Sequence, residues 1–350
     1  MKKSSILLIS TGILMFACGQ RNTNVSKNVS GGDGRVIISG TVWNDTDGNM
    51  INAHGGGILY HDGTYYWYGE YKGDSTYWNP KVPSWECYRT EAGGVSCYSS
   101  TDLVNWKFEG LALPSEQNDS GSDLHYSHVL ERPKVIYNDQ TGKFVMWLHV
   151  DSHNYAKAAA GVAISDSPAG TFQYLGSMRP NGEMSRDMTL FKDDDGKAYH
   201  VYSSEENRTL YISLLTDDYL EPSGRFTRNF IDQSREAPAV FKRSGKYYIV
   251  SSGCTGWDPN HAEYAVADSM FGSWTVMGDP CSGKDAEITF YGQSTFVLPL
   301  AGKQDAYIAM FDKWNKTDLI NSRYIWLPVE FKGDLMDIAW RDEWDLDEVF

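Results

Sequence analysis

The chain has 350 residues and a formal net charge of −15 at pH 7. An acidic surface repels phosphate backbones, so nucleic acid is excluded as a partner. Hydrophobic residues reach 41%, enough for a sizeable core, and 12 Trp with 22 Tyr suit packed β-strands, the stacking of sugar rings, or both.

The chain opens with "MKKSSILLISTGILMFACGQ": two lysines, an apolar stretch, then small residues before Cys18. This is the pattern of a secretory signal. Its "MFAC" end resembles a bacterial lipobox, which implies a signal peptide over 1–17 and lipidation of Cys18. Residues 18–35 are rich in Gly, Ser and Asn and read as a flexible tether. The expected protein is exported and held at the periplasmic or outer-membrane surface by its lipid alone. No later apolar run is long enough to span a membrane. Four further cysteines admit two pairings, Cys87 with Cys97 and Cys254 with Cys281, or free buried thiols. Their spacing lacks the clustering of a zinc site.

From residue 36 onward one pattern recurs: an apolar strand, a turn ending in Gly, then an aromatic-rich strand. The turn glycines are Gly63, Gly142, Gly196, Gly245 and Gly302, at intervals of 79, 54, 49 and 57 residues. Asp-Gly and Ser-Gly between apolar runs are hairpin signals. A weaker strand pair follows in the first, second and fourth units, as in "GVAISDSPAGTFQYLG". Four strands per unit in five units predict an all-β, five-bladed β-propeller over 36–350. The first unit carries an insertion, roughly "YKGDSTYWNPKVPSWECYRTEAGG". A β-sandwich is the alternative, but it does not account for the fivefold recurrence.

Counting back nine residues from the turn glycines reaches His54, Asp187, Glu236 and Gln293. The longer second turn places Glu131 at the same point, eleven residues before Gly142. In a propeller the first strand of each blade lines the axis, so these five side chains converge at one mouth of the channel. Buried carboxylates are costly without partners. The arginines next to Glu131, Asp187 and Glu236 point to the other face if the strand is regular, though each is free to serve another blade. Clustered carboxylates in an aromatic-rich exported chain fit glycoside hydrolysis, which needs a proton donor of raised pKa and a base or nucleophile.

The segments "AHGGGILYHDGTYYWYGE", "LERPKVIYN", "SRDMTLFKDDDG", "REAPAVFKRSGKYYIVSSGCTGWDPN" and "YGQSTFV" together resemble the five-bladed propellers of glycoside hydrolase family 43. The resemblance covers nearly all of 36–350 and looks strongest to the exo-β-1,3-galactanase branch. It implies inversion of configuration, with Glu236 as general acid and Asp187 as the group that tunes it. The first unit departs from the usual family pattern: "INAHGGG" has Ala53 and His54 but no Asp. The galactanase branch shares this absence and places a Gln where Gln293 stands, so the base is either Gln293 or Glu131. The same resemblance implies sugar contacts at Glu70, Tyr155 and Thr255, and at Glu205 or Glu206. Trp257 and Trp314 are expected to stack on a pyranose, and Trp67 and Trp147 to pack between blades. His54 is expected in the pocket. No metal is assigned, although a structural cation in the central channel is compatible with the pattern. The expected substrate is an oligo- or polysaccharide, the expected product galactose from the non-reducing end of β-1,3-galactan, and the expected state a monomer. Rival readings are an arabinofuranosidase, xylosidase or galactofuranosidase on the same fold, or a non-catalytic glycan-binding lipoprotein.

Overall fold

A computed structural model describes residues 34–73 and 75–350. The signal, Cys18 and nearly all of the tether lie outside the described residues. Four four-stranded antiparallel sheets follow one another along the chain. Their inner strands are His54–His61, Val129–Asn138, Met188–Lys192 and Glu236–Arg243. A fifth sheet has three strands and begins with Gln293–Pro299. These five inner strands touch in sequence, and the fifth returns to touch the first. The result is a β-propeller. The five turn glycines all have φ between +69° and +82°, a region that L-residues avoid. That requirement is why they mark the repeat.

Among the described residues the sheets of three or more strands number six, one more than the units read from the turns. The additional sheet joins Cys281–Ser282, Leu335–Ala339 and Glu330–Lys332. It has no hairpin of the repeating kind, and Cys281–Ser282 pairs with Leu335–Ala339 in parallel. Met336 and Ile338 bury themselves in the apolar layer shared by the fourth and fifth sheets.

Five apolar layers fill the spaces between neighbouring sheets. Trp67 joins the layer between the first and fifth sheets, beside Trp106 and Trp326, and Trp147 joins the layer between the second and third. Each is fully buried, as expected for blade-to-blade packing. Deleting such a side chain costs about 3–5 kcal/mol. Strand Val36–Ile38 pairs with Glu343–Asp345, tying the start of the described chain to its end. Among the described residues no helix is long and apolar enough to cross a membrane.

Cys87, Cys97, Cys254 and Cys281 are all free thiols, so of the alternatives left open by the sequence neither pairing is formed. Cys97 faces the carbonyl of Pro168 from within the first sheet, whereas Cys87 lies in the insertion. Cys254 faces Asn207, and Cys281 belongs to the sixth sheet.

Candidate active site

Three inner strands break register at the channel mouth in the same way. His54 pairs with Glu70 and Gly57 with Tyr68; Glu131 pairs with His149 and Lys134 with Trp147; Glu236 pairs with Ser252 and Ala239 with Val250. Each inner strand therefore carries one extra residue, a β-bulge. The residue after each mouth position is left-handed: Gly55 at φ +59°, Arg132 at +54° and Ala237 at +52°. Its backbone N–H is turned toward the preceding sheet and finds a carboxylate there. Gly55 N donates to Asp312 Oδ2 at 2.9 Å, Arg132 N to Glu70 Oε1 at 3.0 Å, and Ala237 N to Asp187 Oδ2 at 3.1 Å. Hydrogen bonds from amides to charged acceptors contribute about 1.5–3 kcal/mol each, which offsets the strain of the left-handed residues. At Gly55 a Cβ would stand 2.0 Å from Glu70 Oε1, so any larger residue would displace that carboxylate from Arg132 N.

The bulge also redirects Arg132. A regular strand would turn it away from Glu131, but here its guanidinium enters the mouth. It donates to Gln293 Oε1 at 2.6 Å and pairs with Asp187 Oδ2 at 2.8 Å. Trp314 Nε1 also donates to Gln293 Oε1, at 3.0 Å, while Gln293 Nε2 donates to Ser252 Oγ at 3.0 Å. Arg132 and Trp314 are donors only, so the amide orientation follows from its neighbours.

The carboxyl groups fall into distinct electrostatic states. Burial, reinforced by the charge of Asp187, pushes Glu236 up to about 7, against the pull of Cys254, Arg132 and Arg186. Burial also opposes ionisation of Glu131, but the hydrogen bond and charge of His149 outweigh it and hold Glu131 down at about 2. His149 Nδ1 stands 3.3 Å from Glu131 Oε2, and its Nε2 stands 3.1 Å from Asp151 Oδ2. Against its own burial, the two carboxylates raise His149 to about 9. At neutral pH this is a carboxylate–imidazolium–carboxylate chain. Glu70 is raised by burial and opposed by Lys72, whose Nζ lies 2.5 Å from Glu70 Oε2. Two of the groups are thus pushed in opposite directions across one mouth, the pattern that separates a proton donor from an ionised partner.

Above the mouth lies a pocket of about 670 Å³. Its floor includes Glu131, Asp187, Glu236 and Gln293, and Glu70, Tyr155, Thr255, Trp257 and Trp314 also line it. Tyr155 donates from its hydroxyl to Glu131 Oε1 at 2.9 Å. One wall is the insertion in the first sheet. Trp85 from that insertion packs on Gly256, lies edge-on to Tyr155, and approaches Trp257. Lys316 Nζ ties the wall down by pairing with Glu86 at 2.6 Å and Asp258 at 2.8 Å.

One expectation is corrected here and one open alternative is narrowed. His54 is fully buried behind the pocket wall, stacked on Tyr324 with Nδ1 3.2 Å from Asp312, and does not line the pocket. In the first sheet the pocket acid is instead Glu70, the pairing partner of His54 on the next strand. Between Glu205 and Glu206, only Glu206 reaches the pocket. Glu205 turns back to Thr209, Tyr211 and Arg228. The channel beneath the mouth holds Lys134, whose Nζ donates to Gly55 O at 2.8 Å and which burial and the charge of Arg132 push down to about 7. Sequence reasoning missed Arg132, His149, Arg186, Asn207 and Trp85. Only the arginines carried a signal, as neighbours of the mouth acids.

A propeller mouth with one raised carboxyl, one strongly ionised carboxylate and aromatic walls is the class of site that glycoside hydrolases carry. The sequence model of glycosyl hydrolases family 43 matches residues 57–311, and the chain belongs to that family. Among solved structures, a family 43 β-1,3-galactosidase with galactodeoxynojirimycin is 46% identical, with TM-score 0.82, over 89% of this chain and 100% of that one. The exo-β-1,3-galactanase from Phanerochaete chrysosporium with galactose is 37% identical, with TM-score 0.79, over 89% of this chain and 68% of its own. The exo-β-1,3-galactanase from Clostridium thermocellum is 39% identical, with TM-score 0.77, over 88% and 66%. A curated xylan 1,3-β-xylosidase from Vibrio sp is 26% identical over 185 residues, 48% of this chain. The match spans only 33% of that relative's length.

Proposed function

We propose that the chain is an inverting exo-glycosidase that releases galactose from the non-reducing end of β-1,3-galactan, the backbone of arabinogalactan. The observation that carries this reading is the Glu236 carboxyl, pushed up to about 7 by burial and Asp187 on the floor of a walled pocket. In that state it is protonated below neutral pH, and about half so at pH 7, and donates to the departing sugar oxygen. Asp187 tunes it and, through Ala237 N, fixes the strand that presents it. The wall built from Trp85 and the Lys316 pairs closes one side of the cleft, which favours the end of a chain over its interior. Identity of 37–46% to a β-1,3-galactosidase and exo-β-1,3-galactanases selects galactan among family 43 substrates.

The partner that activates water is Glu131 or Gln293. Both acceptor positions of Gln293 Oε1 are occupied by donor-only groups, and its free valence is the second N–H of Nε2. It is therefore built to hold water, and we assign proton acceptance to Glu131, which is ionised. Because His149 holds Glu131 at low proton affinity, proton transfer is late and the water must be well oriented.

The same reading counts five blades around the axis, since five inner strands close the ring, and treats the sixth sheet as an annex to the last blades. It also takes the chain as a lipoprotein anchored through Cys18, on the strength of the first 18 residues, and as a monomer.

The test is hydrolysis of β-1,3-galactobiose and galactotriose followed by proton NMR. Galactose released as the α-anomer from the non-reducing end is expected. Retention, internal cleavage, or activity confined to aryl xylosides would overturn the assignment.

A further inference from the structure

Next to Glu236 stands a side chain that the reaction scheme above leaves unused. Asn207 Nδ2 donates to Glu236 Oε1 at 2.5 Å and lies 3.7 Å from Cys254 Sγ. Asn207 Oδ1 is buried without a partner. The residue comes from the third sheet, at the turn between strands Ala198–Ser204 and Thr209–Leu215. Glu205, Glu206 and Asn207 are consecutively left-handed there, with φ of +54°, +57° and +63°. Three such residues in a row persist only where their surroundings over-determine them. Glu205 is held by Thr209 Oγ1 at 2.7 Å, Tyr211 OH at 2.9 Å and Arg228 at 2.6 Å, and Glu206 by Arg186 at 2.7 Å. A strained turn is thus clamped on both carboxylates, and it delivers one amide to one carboxyl oxygen.

We infer that Asn207 is a positioning residue for the proton donor: its amide engages Oε1 of Glu236 and so confines the transferable proton to Oε2. The inference rests on Glu236 being the acid. A carboxyl has two oxygens, and only the one facing the glycosidic oxygen is productive. An N–H donor on Oε1 makes that oxygen an acceptor and excludes the proton from it. The amide also favours the ionised carboxylate, as Arg132, Arg186 and the Cys254 thiol do. Against them stand burial and the Asp187 carboxylate. Glu206, the remaining charged group at this side of the pocket, is already paired with Arg186.

Asn207→Gly is the clean perturbation, because glycine accepts the left-handed backbone without strain while removing the amide. Asn207→Asp keeps shape and backbone preference and replaces the donor by an acceptor. For Asn207→Gly acting on β-1,3-galactobiose we expect kcat to fall about tenfold, a modest part of the 100- to 10,000-fold that a positioned acid supplies. KM should change little. The basic limb of the pH profile should move up by about one pH unit, since a donor favouring the charged form is lost. Asn207→Asp should be at least as impaired. On a dinitrophenyl β-galactoside, whose leaving group needs no proton, Asn207→Gly should keep nearly wild-type kcat. Equal loss on both substrates, or an unmoved basic limb with unchanged kcat on galactobiose, would overturn the inference. If Glu236→Gln stays active on galactobiose, it is the assignment of the acid that fails. If Glu236→Gln is inactive and Asn207→Gly is unaffected, only the role of Asn207 fails.

Discussion

Replacing Asp187 by Asn tests the electrostatic argument at its most exposed point. The substitution keeps the shape of the side chain and removes one negative charge beside Glu236. Glu236 lies at about 7 instead of 4.5, with burial as the larger cause and Asp187 as the second. Asp187 is the second of the two raising causes, so its removal should lower the carboxyl by about one unit, short of the full return that loss of both causes would give. The neighbouring charges reinforce the sign. Arg132 loses its 2.8 Å partner on Asp187, and its uncompensated cation favours ionised Glu236. A raised acid is protonated below its pKa, so acid-catalysed turnover is present at low pH and lost as pH rises through that value. The basic limb of kcat/KM on β-1,3-galactobiose reports it for the free enzyme. It should sit near 7 in the wild type and near 6 in Asp187→Asn. A limb that stays in place or rises would refute the claim that Asp187 holds the donor up.

Glu236→Gln should lower kcat on galactobiose by at least about 100-fold. It should also raise Tm at pH 8 by about 2–4 °C, because ionising a buried, raised carboxyl destabilises the fold above its unfolded-state pKa; calorimetry with no rise at pH 8 would contradict the burial argument. Glu131→Gln removes one of the two carboxylates that flank His149, so the His149 NMR titration should fall from about 9 by at least about one unit, and an unmoved titration would deny the ionised chain. Gly55→Ala should cost at least about 3 kcal/mol in urea unfolding, since its Cβ would strike Glu70 and the φ of +59° disfavours it. Lys316→Ala frees the insertion from Asp258, and KM for galactotriose should rise about threefold with kcat nearly unchanged, consistent with a loss of about 0.7 kcal/mol from an exposed ion pair; an altered kcat with constant KM would show that the wall does not act through binding.

The propeller was legible because its turns demand a backbone that only glycine adopts freely, so Gly63, Gly142, Gly196, Gly245 and Gly302 mark the repeat. Counting from them located Glu131, Asp187, Glu236 and Gln293 at one mouth, since the hairpins share one length apart from the two extra turn residues of the second. The count failed at His54, because in the first sheet the acid comes from the second strand, as Glu70. It also could not show the bulges, which arise from one extra residue in a strand and leave no compositional trace at Arg132 or Ala237. Period-two alternation therefore turned Arg132 the wrong way. The sixth sheet was hidden for another reason: Cys281–Ser282 pairs with a strand more than fifty residues later, and no local pattern records a partner so far away. His149, Asn207 and Trp85 reach the pocket through pairings and loop contacts that likewise join distant parts of the chain.

The three amides donated by Gly55, Arg132 and Ala237 each bind a carboxylate of the sheet before them. The groups that surround the substrate are thereby also rivets between neighbouring sheets. Sliding one sheet against the next would pull Asp187 from Ala237 or Glu70 from Arg132, and with it the alignment of the reacting groups. Assembly of the ring and readiness of the site are for this reason a single event. A destabilised variant should lose turnover in step with its global unfolding, with no partly assembled species that still cleaves sugar.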